Sequence, residues 1–275
     1  MSESLDLPIL NLSDEFEKIR VLSSPNVANG SFGSVLEVYK AKNPSNVIDI
    51  LYLAVKKYPQ SIPSLSKVYN KSLKDLKHKH LVRIFGETTL SDGLVGLVTE
   101  AHPTNLRSLL NKGPEFGKPL AINGIRNVIS QVLDGLIYLH MRKVVLIHLK
   151  PENVILDSLT PQVTMVDSKV KISDFGFFPE ALLSDIKAKG GSNMIYLAPE
   201  LKKSQPVPKI KPSADIFSCG MITFEMICGR SPRVTDKLSM IPNPTLQDFV
   251  RLMVKRNPSE RIGAEPIFTH SFLRS

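Results

Sequence analysis

The stretch VVLIHLKPENVIL, residues 144–156, decides how this chain is read. Apolar residues bracket a polar run, Lys150-Pro151-Glu152-Asn153, and the segment NVILD that follows is short and rich in branched side chains. Such a pattern reads as a loop entering a brief strand. A second short strand, VKISD, comes next, and at its end stands Asp174-Phe175-Gly176. A carboxylate at a strand end is well placed to hold a divalent metal that bridges phosphates. Alone, D-F-G is a common turn sequence; following K-P-E-N at this separation, it makes Asn153 a second candidate metal ligand.

Outward from this pair the chain divides in two. Residues 17 to 58 alternate short apolar runs with Gly, Asn and Pro breaks, in IRVLSS, SVLEVYKA and IDILYLAVKKY, and read as strands of an antiparallel sheet. Residues 64 to 78 carry Leu65, Val68, Tyr69, Leu73 and Leu76 with a helical period. LVRIFGETT and GLVGLVTEA return to strands. From residue 105 the pattern turns mostly helical, in NLRSLLNK, IRNVISQVLDGLIYLHMRK and LQDFVRLMVKR. The most apolar run, IFSCGMITFEMICG, is flanked by Asp215 and interrupted by Glu225, and reads as a buried helix rather than a membrane span. A cleft between the sheet-rich and helical parts, joined near residues 99 to 104, is the expected site. No internal repeat or low-complexity segment occurs.

Composition sets wider limits. The chain has 275 residues, 42% hydrophobic and 22% charged, enough to bury a sizeable core. The start, MSESLDLPIL, lacks the basic region and long apolar core of a signal peptide. Cys219 and Cys228 both fall in the apolar run and read as free core thiols, which leads us to expect a reducing, intracellular and cytoplasmic setting. The net charge of +9 owes part of its excess to KVYNKSLKDLKHKHLVR, where Lys67, Lys71, Lys74 and Lys77 recur at helical spacing. A solvated helix face is the first reading of these lysines and an acidic protein surface the second. No aromatic-interleaved RNA motif or zinc-finger spacing appears, so nucleic acid is not expected.

The remaining motifs gain meaning together. VANGSFGSVLEV lies between two strands, and Gly30 and Gly33 have the second and third positions of a G-x-G-x-x-G-x-V phosphate loop, with Ala28 at the first; N-G-S-F-G alone is also a plausible hairpin turn. LAVKK puts Lys56 on a strand after Ala54, where an exposed strand lysine is the plainer reading. MIYLAPE, ADIFSCG and NPSERI follow in order. From about residue 17 onward the ordered set resembles the protein kinase superfamily, on its Ser/Thr side by Lys150. The resemblance implies an α+β, two-lobed protein-kinase-like fold, with a small antiparallel β-sheet lobe carrying one helix and a larger helical lobe. Residues 1–16 would be an N-terminal tail, 17–100 the N-lobe and 101–275 the C-lobe. The chain ends at HSFLRS, directly after the last expected helix, so no appended domain is expected.

The same resemblance implies ATP with Mg²⁺. Ala28, Gly30, Gly33 and Lys56 would meet the phosphates, Val35, Ala54 and Ile155 the adenine, and Asn153 and Asp174 the metal. Glu200 and Arg261 match a structural ion pair, and Asp215 matches the residue that braces the catalytic loop. Leu73, Ile84, Leu146 and Phe175 match the apolar column linking the lobes. Phe217 stands where the family usually has Trp.

Two departures bear on chemistry. LIHLKPEN aligned on the family's H-R-D-L-K-P-E-N puts Leu146, Ile147 and His148 at the His, Arg and Asp. A neutral imidazole at 148 accepts a proton in principle, yet beside Lys150 and a metal it is more simply a polar neutral residue. A general base supplies roughly 10²–10⁴-fold. In addition, the Glu that would hold Lys56 is replaced by Tyr69, and no Glu lies between Glu37 and Glu87. Ile147 also removes the Arg that would read a phosphorylated activation loop, and Leu146 adds apolar surface worth about 1.5–3 kcal/mol when buried. The expected function is therefore a pseudokinase, a scaffold or allosteric partner of another protein, such as an active kinase. A weakly active Ser/Thr kinase is the alternative, and a module without nucleotide a third reading.

Overall fold

The computed structural model describes residue 12 and residues 16–22, 35–41, 52–57, 76–90, 93, 95–102, 104–112, 118–147, 149–156, 166–175, 183–184, 186–188, 190–202, 209–233 and 235–274. The chain separates into two compact units. One comprises 1–77, 82–102 and 176–189; the other comprises 78–81, 103–175 and 190–275.

The first unit is built on an antiparallel sheet of β1 (Phe16–Leu22), β2 (Val35–Ala41), β3 (Tyr52–Lys57), β4 (Ile84–Thr89) and β5 (Val95–Glu100), in the order β1-β2-β3-β5-β4. All four strand contacts are antiparallel, and β3 pairs with β5 although β4 lies between them in the chain. Leu97 and Val98 of β5, a central strand, are buried. The helix expected at 64–78 lies almost wholly outside the described residues; Leu76 to His78 are described and are not helical.

The second unit holds a three-stranded sheet, β6 (Thr104–Asn105), β7 (Val154–Leu156) and β8 (Val170–Ile172), and most of the described helix. Its helices are α1 (Leu106–Lys112), α2 (Ile122–Met141), α3 (Pro199–Lys202), α4 (Ser213–Cys228), α5 (Pro244–Met253), α6 (Ala264–Phe268) and α7 (Ser271–Arg274). Helix α2 buries Ile125, Val128, Ile129, Val132, Leu133, Leu136 and Leu139, the three- and four-residue spacing of one apolar face. Gly135 on that face packs so closely that a Cβ would stand 2.9 Å from Ile172 Cδ1 and 3.1 Å from the His80 carbonyl. Helix α4 is buried almost all round, including Asp215 and Glu225. It stops at Gly229, whose φ of 65° is a left-handed value that glycine adopts freely. Asn243 caps α5 by accepting the Leu246 N–H at 2.9 Å, and Pro244 sits at the first helical position, where its missing N–H costs nothing.

A small antiparallel sheet unit and a larger helical one make the mixed architecture of a two-lobed protein kinase fold. Cys219 is buried and Cys228 is half-buried, so only the first is a core thiol; both are free. Among the described residues no helix is long and apolar enough to cross a membrane.

Candidate functional site

In the helical unit, the K-P-E-N loop and Asp174-Phe175 come together because strands β7 and β8 pair. β7 pairs antiparallel with β8, Val154 opposite Ile172 and Leu156 opposite Val170. Extended by one step, that register sets Asn153 beside Ser173, and the Ser173 N–H donates to the Asn153 carbonyl at 2.9 Å. Pro151 to Asn153 make a single 3₁₀ turn with the Asn153 N–H donating to the Lys150 carbonyl at 2.9 Å. The Asn153 Nδ2 then donates to Asp174 Oδ2. Asp174 takes a φ of 60°, a left-handed conformation that a short polar residue tolerates.

The Asn153 amide oxygen is buried and without a hydrogen-bond partner. A buried carbonyl oxygen left unpaired costs about 1–3 kcal/mol. With a carboxylate beside it, the pair offers hard oxygen donors of the kind that suit Mg²⁺. The donor set therefore fits the metal expected from the sequence. Among the described residues there is no cluster of three His, Cys, Asp or Glu side chains, as a zinc-type site would need. Lys150 is buried, and Ile155 is half-buried on β7 opposite Lys171.

The loop entering this site is braced from below. Asp215, fully buried at the start of α4, accepts the Leu146 N–H on Oδ2 at 3.0 Å and the Ile147 N–H on Oδ1 at 2.7 Å. Its Oδ2 also lies 2.8 Å from His140 Nε2, at the end of α2. Ile147 has a φ of 57°, costly for a β-branched residue, and the two N–H bonds hold the backbone leading into that kink. Leu146 is buried, as its apolar character requires. His140 was not among the residues singled out from the sequence; a histidine six residues upstream in a helical run carries no local signal of its partner.

A second polar group, also missed, centres on Glu225 in α4. Arg107 of α1 donates to Glu225 Oε1 through Nη1 at 2.5 Å, to Glu152 Oε1 through Nε at 3.0 Å and to the Tyr196 hydroxyl through Nη2 at 2.6 Å. Tyr196 donates in turn to Glu225 Oε2, and Ser231 Oγ donates to Oε1 at 3.0 Å. Burial, and then the Glu225 charge, push the Tyr196 phenol well above its ordinary value. The available clue was Glu225 itself: a carboxylate inside an apolar run demands a partner when buried. Elsewhere the expected ion pair is formed, Arg261 binding Glu200 bidentately at 2.8 and 3.0 Å and also donating to the Lys255 and Ser213 carbonyls. The Arg261 guanidinium stands 5.1 Å from the Phe217 ring centroid.

In the sheet unit, Ala54 pairs with Val38 and Lys56 with Leu36, so Ala54 and Lys56 hold alternate positions of one strand. Val35 pairs with Lys57 and falls in the opposite register set from Ala54 and Lys56. Ile84 is half-buried on β4. Ala28, Gly30, Gly33, Tyr69, Leu73 and His148 lie outside the described residues.

The protein kinase domain family matches residues 23–273, and the chain belongs to that family. It is 27% identical to mitogen-activated protein kinase kinase kinase 5 of Arabidopsis thaliana, over 90% of this chain and 36% of that protein. It is 26% identical to serine/threonine-protein kinase ATG1a of the same plant, over 91% and 41%. Against ribosomal protein S6 kinase alpha-1 of Rattus norvegicus the figures are 27%, 91% and 34%. The chain thus spans well under half the length of these relatives.

Proposed function

We propose that this kinase domain is a pseudokinase, serving as a scaffold or allosteric partner of another protein, with phosphoryl transfer lost or residual. The observation that carries the reading is the tripeptide Leu146-Ile147-His148 at the family's H-R-D. The braced backbone frame is kept while the Asp that would orient a substrate hydroxyl and take its proton is absent. Tyr69 in place of the Glu that would position Lys56 supports the same reading.

Nucleotide binding is a separate part of the proposal. Bound Mg²⁺ would neutralise phosphate charge, and Asn153 and Asp174 are the residues to hold it. The buried, unpartnered Asn153 oxygen supports that role. Lys56, Gly30 and Gly33 are assigned to the phosphates, with contacts weakened by Ala28 and by the loss of a Glu partner. Ala54 and Ile155 are assigned to the adenine ring; Val35, in the opposite register set from Ala54, is not. His148 would act as a neutral polar group, and Lys150 would face a transferred phosphoryl only if activity remained. Free Cys219 and Cys228 suit a reducing, intracellular compartment.

Thermal melting with ATP, with and without Mg²⁺, in wild type and Asp174→Ala tests the nucleotide site. A ligand at a hundred times its dissociation constant adds about 2.7 kcal/mol. A metal-dependent rise in Tm lost in Asp174→Ala is expected; no shift at millimolar ATP refutes the nucleotide site. Transfer of labelled phosphate at an ordinary kinase rate, abolished by Asp174→Ala, refutes the pseudokinase reading in favour of a Ser/Thr kinase.

A further inference from the structure

Residues His78 to Leu81 belong to the helical unit, although the chain on both sides of them belongs to the sheet unit. Four residues are thus held against α2 and β8 by contacts of their own. The Ile172 N–H donates to the His80 carbonyl at 2.9 Å, and Leu81 bridges to Ile172 in parallel. His80 Nδ1 lies 2.8 Å from the Val170 carbonyl, which only accepts, so this nitrogen carries the proton. The His78 ring stacks on Tyr138 of α2 at 4.7 Å between centroids, and Arg142 covers Tyr138 as well, 3.7 Å from its centroid.

The protonation state of His78 follows from the same geometry. The His80 backbone N–H donates to His78 Nδ1 at 3.2 Å, so Nδ1 must present a lone pair and His78 is neutral. A proton added there turns acceptor into donor and sets two N–H groups against each other. The charge has little to offset it. Asp134 is the carboxylate facing the segment, 3.9 Å from His78 Nε2, 3.6 Å from His80 Nε2 and already 3.1 Å from Lys79 Nζ. Lys79 and Arg142 oppose a charge on His78, and Lys79 and Lys171 oppose one on His80. Burial lowers both histidines below 6.5 in spite of Asp134.

We propose that residues 78–81 form an acid-released clip: with His78 neutral, the segment is fastened to α2 and β8, and protonation of His78 Nδ1 lets it go. The inference is independent of nucleotide binding and of phosphoryl transfer. The sign follows from linkage. Both groups have folded pKa values below the free one, so the released form binds more protons; docking is complete above 6.5 and weakens as pH falls through the depressed values.

The test is an imidazole NMR titration of the whole chain from about pH 8 to about pH 5, paired with amide exchange corrected for intrinsic rate. His78 should titrate below 6.5. The Ile172 amide should lose protection over the same range while the Ile222 amide, in the core of α4, keeps its own. Each unit of depression measured for the two histidines should add a factor of about ten to the Ile172 loss. A His78→Phe/His80→Asn variant keeps the stack on Tyr138 and a donor for Val170 but cannot titrate, and should flatten the Ile172 profile. His78 titrating at or above 6.5 overturns the proposal, even if the variant fails to fold. So does parallel loss at Ile172 and Ile222, or a variant with the wild-type profile.

Discussion

Replacing Asp215 with Ala should loosen the catalytic-loop frame by an amount the structure bounds. The change strips the acceptor from two buried backbone donors, Leu146 N–H and Ile147 N–H, and from His140. Each buried donor left unpaired costs about 1–3 kcal/mol, so the two amides together cost about 2–6. Freed from its brace, Ile147 relaxes from its φ of 57° and returns about 1–2 kcal/mol. With mid-values of about 4 kcal/mol lost and about 1.5 returned, the net loss is about 2.5 kcal/mol, and for a chain of this size about 2 °C of Tm goes with each kcal/mol. Asp215→Ala should therefore melt about 5 °C below wild type. Asp215→Asn keeps one acceptor oxygen but turns an NH₂ toward one of the two amides, and should fall between. Melting by circular dichroism, with amide exchange at 146 and 147, measures both effects. An Asp215→Ala protein that melts with wild type and protects those amides would refute the bracing argument.

Three further outcomes follow from single environments. Lys143 is exposed with a φ of 61° just past α2, its N–H donating to the His140 carbonyl at 2.9 Å. Lys143→Gly should remove about 1–2 kcal/mol of backbone strain, offset by about 0.5–1 of chain entropy, and raise Tm slightly. The Cys219 thiol is pushed up to about 12 by burial, then by Asp215, while Cys228 is half-buried and raised less, chiefly by burial. Alkylation of the native protein should therefore label Cys228 and spare Cys219, with both labelled after unfolding. Tyr196, held above its ordinary 10.0 by burial and Glu225, should be missing from a native tyrosinate titration carried to about pH 11 and recovered on unfolding. Because the folded value is the higher one, its contribution is intact below about pH 10 and fades as pH rises beyond it.

What was legible in the sequence is what local rules govern. Strands β1 to β5 answer to alternating apolar runs broken by Gly, Asn and Pro, and α2 to a repeated three- and four-residue spacing. The pairing of K-P-E-N with Asp174-Phe175 was readable because strands β7 and β8 pair. The ion pair Glu200–Arg261 and the brace at Asp215 were also legible, as positions in an ordered motif set. The two-residue strand β6 had no signal, since so short a piece exists only by pairing with β7.

The tertiary structure alone decided the partners of buried charge. Glu225 stood out in its apolar run, but Arg107, 118 residues away, could be named only once α1 lay against α4. His140 turning to Asp215, and His78 and His80 sharing Asp134, are likewise contacts between distant segments. The sequence by itself determined the family and most of the described elements, because covalent order and side-chain period carry those facts. Which protonation state a buried histidine takes, and which cation satisfies a buried carboxylate, depend on desolvation and on neighbours brought by folding, and neither is written along the chain.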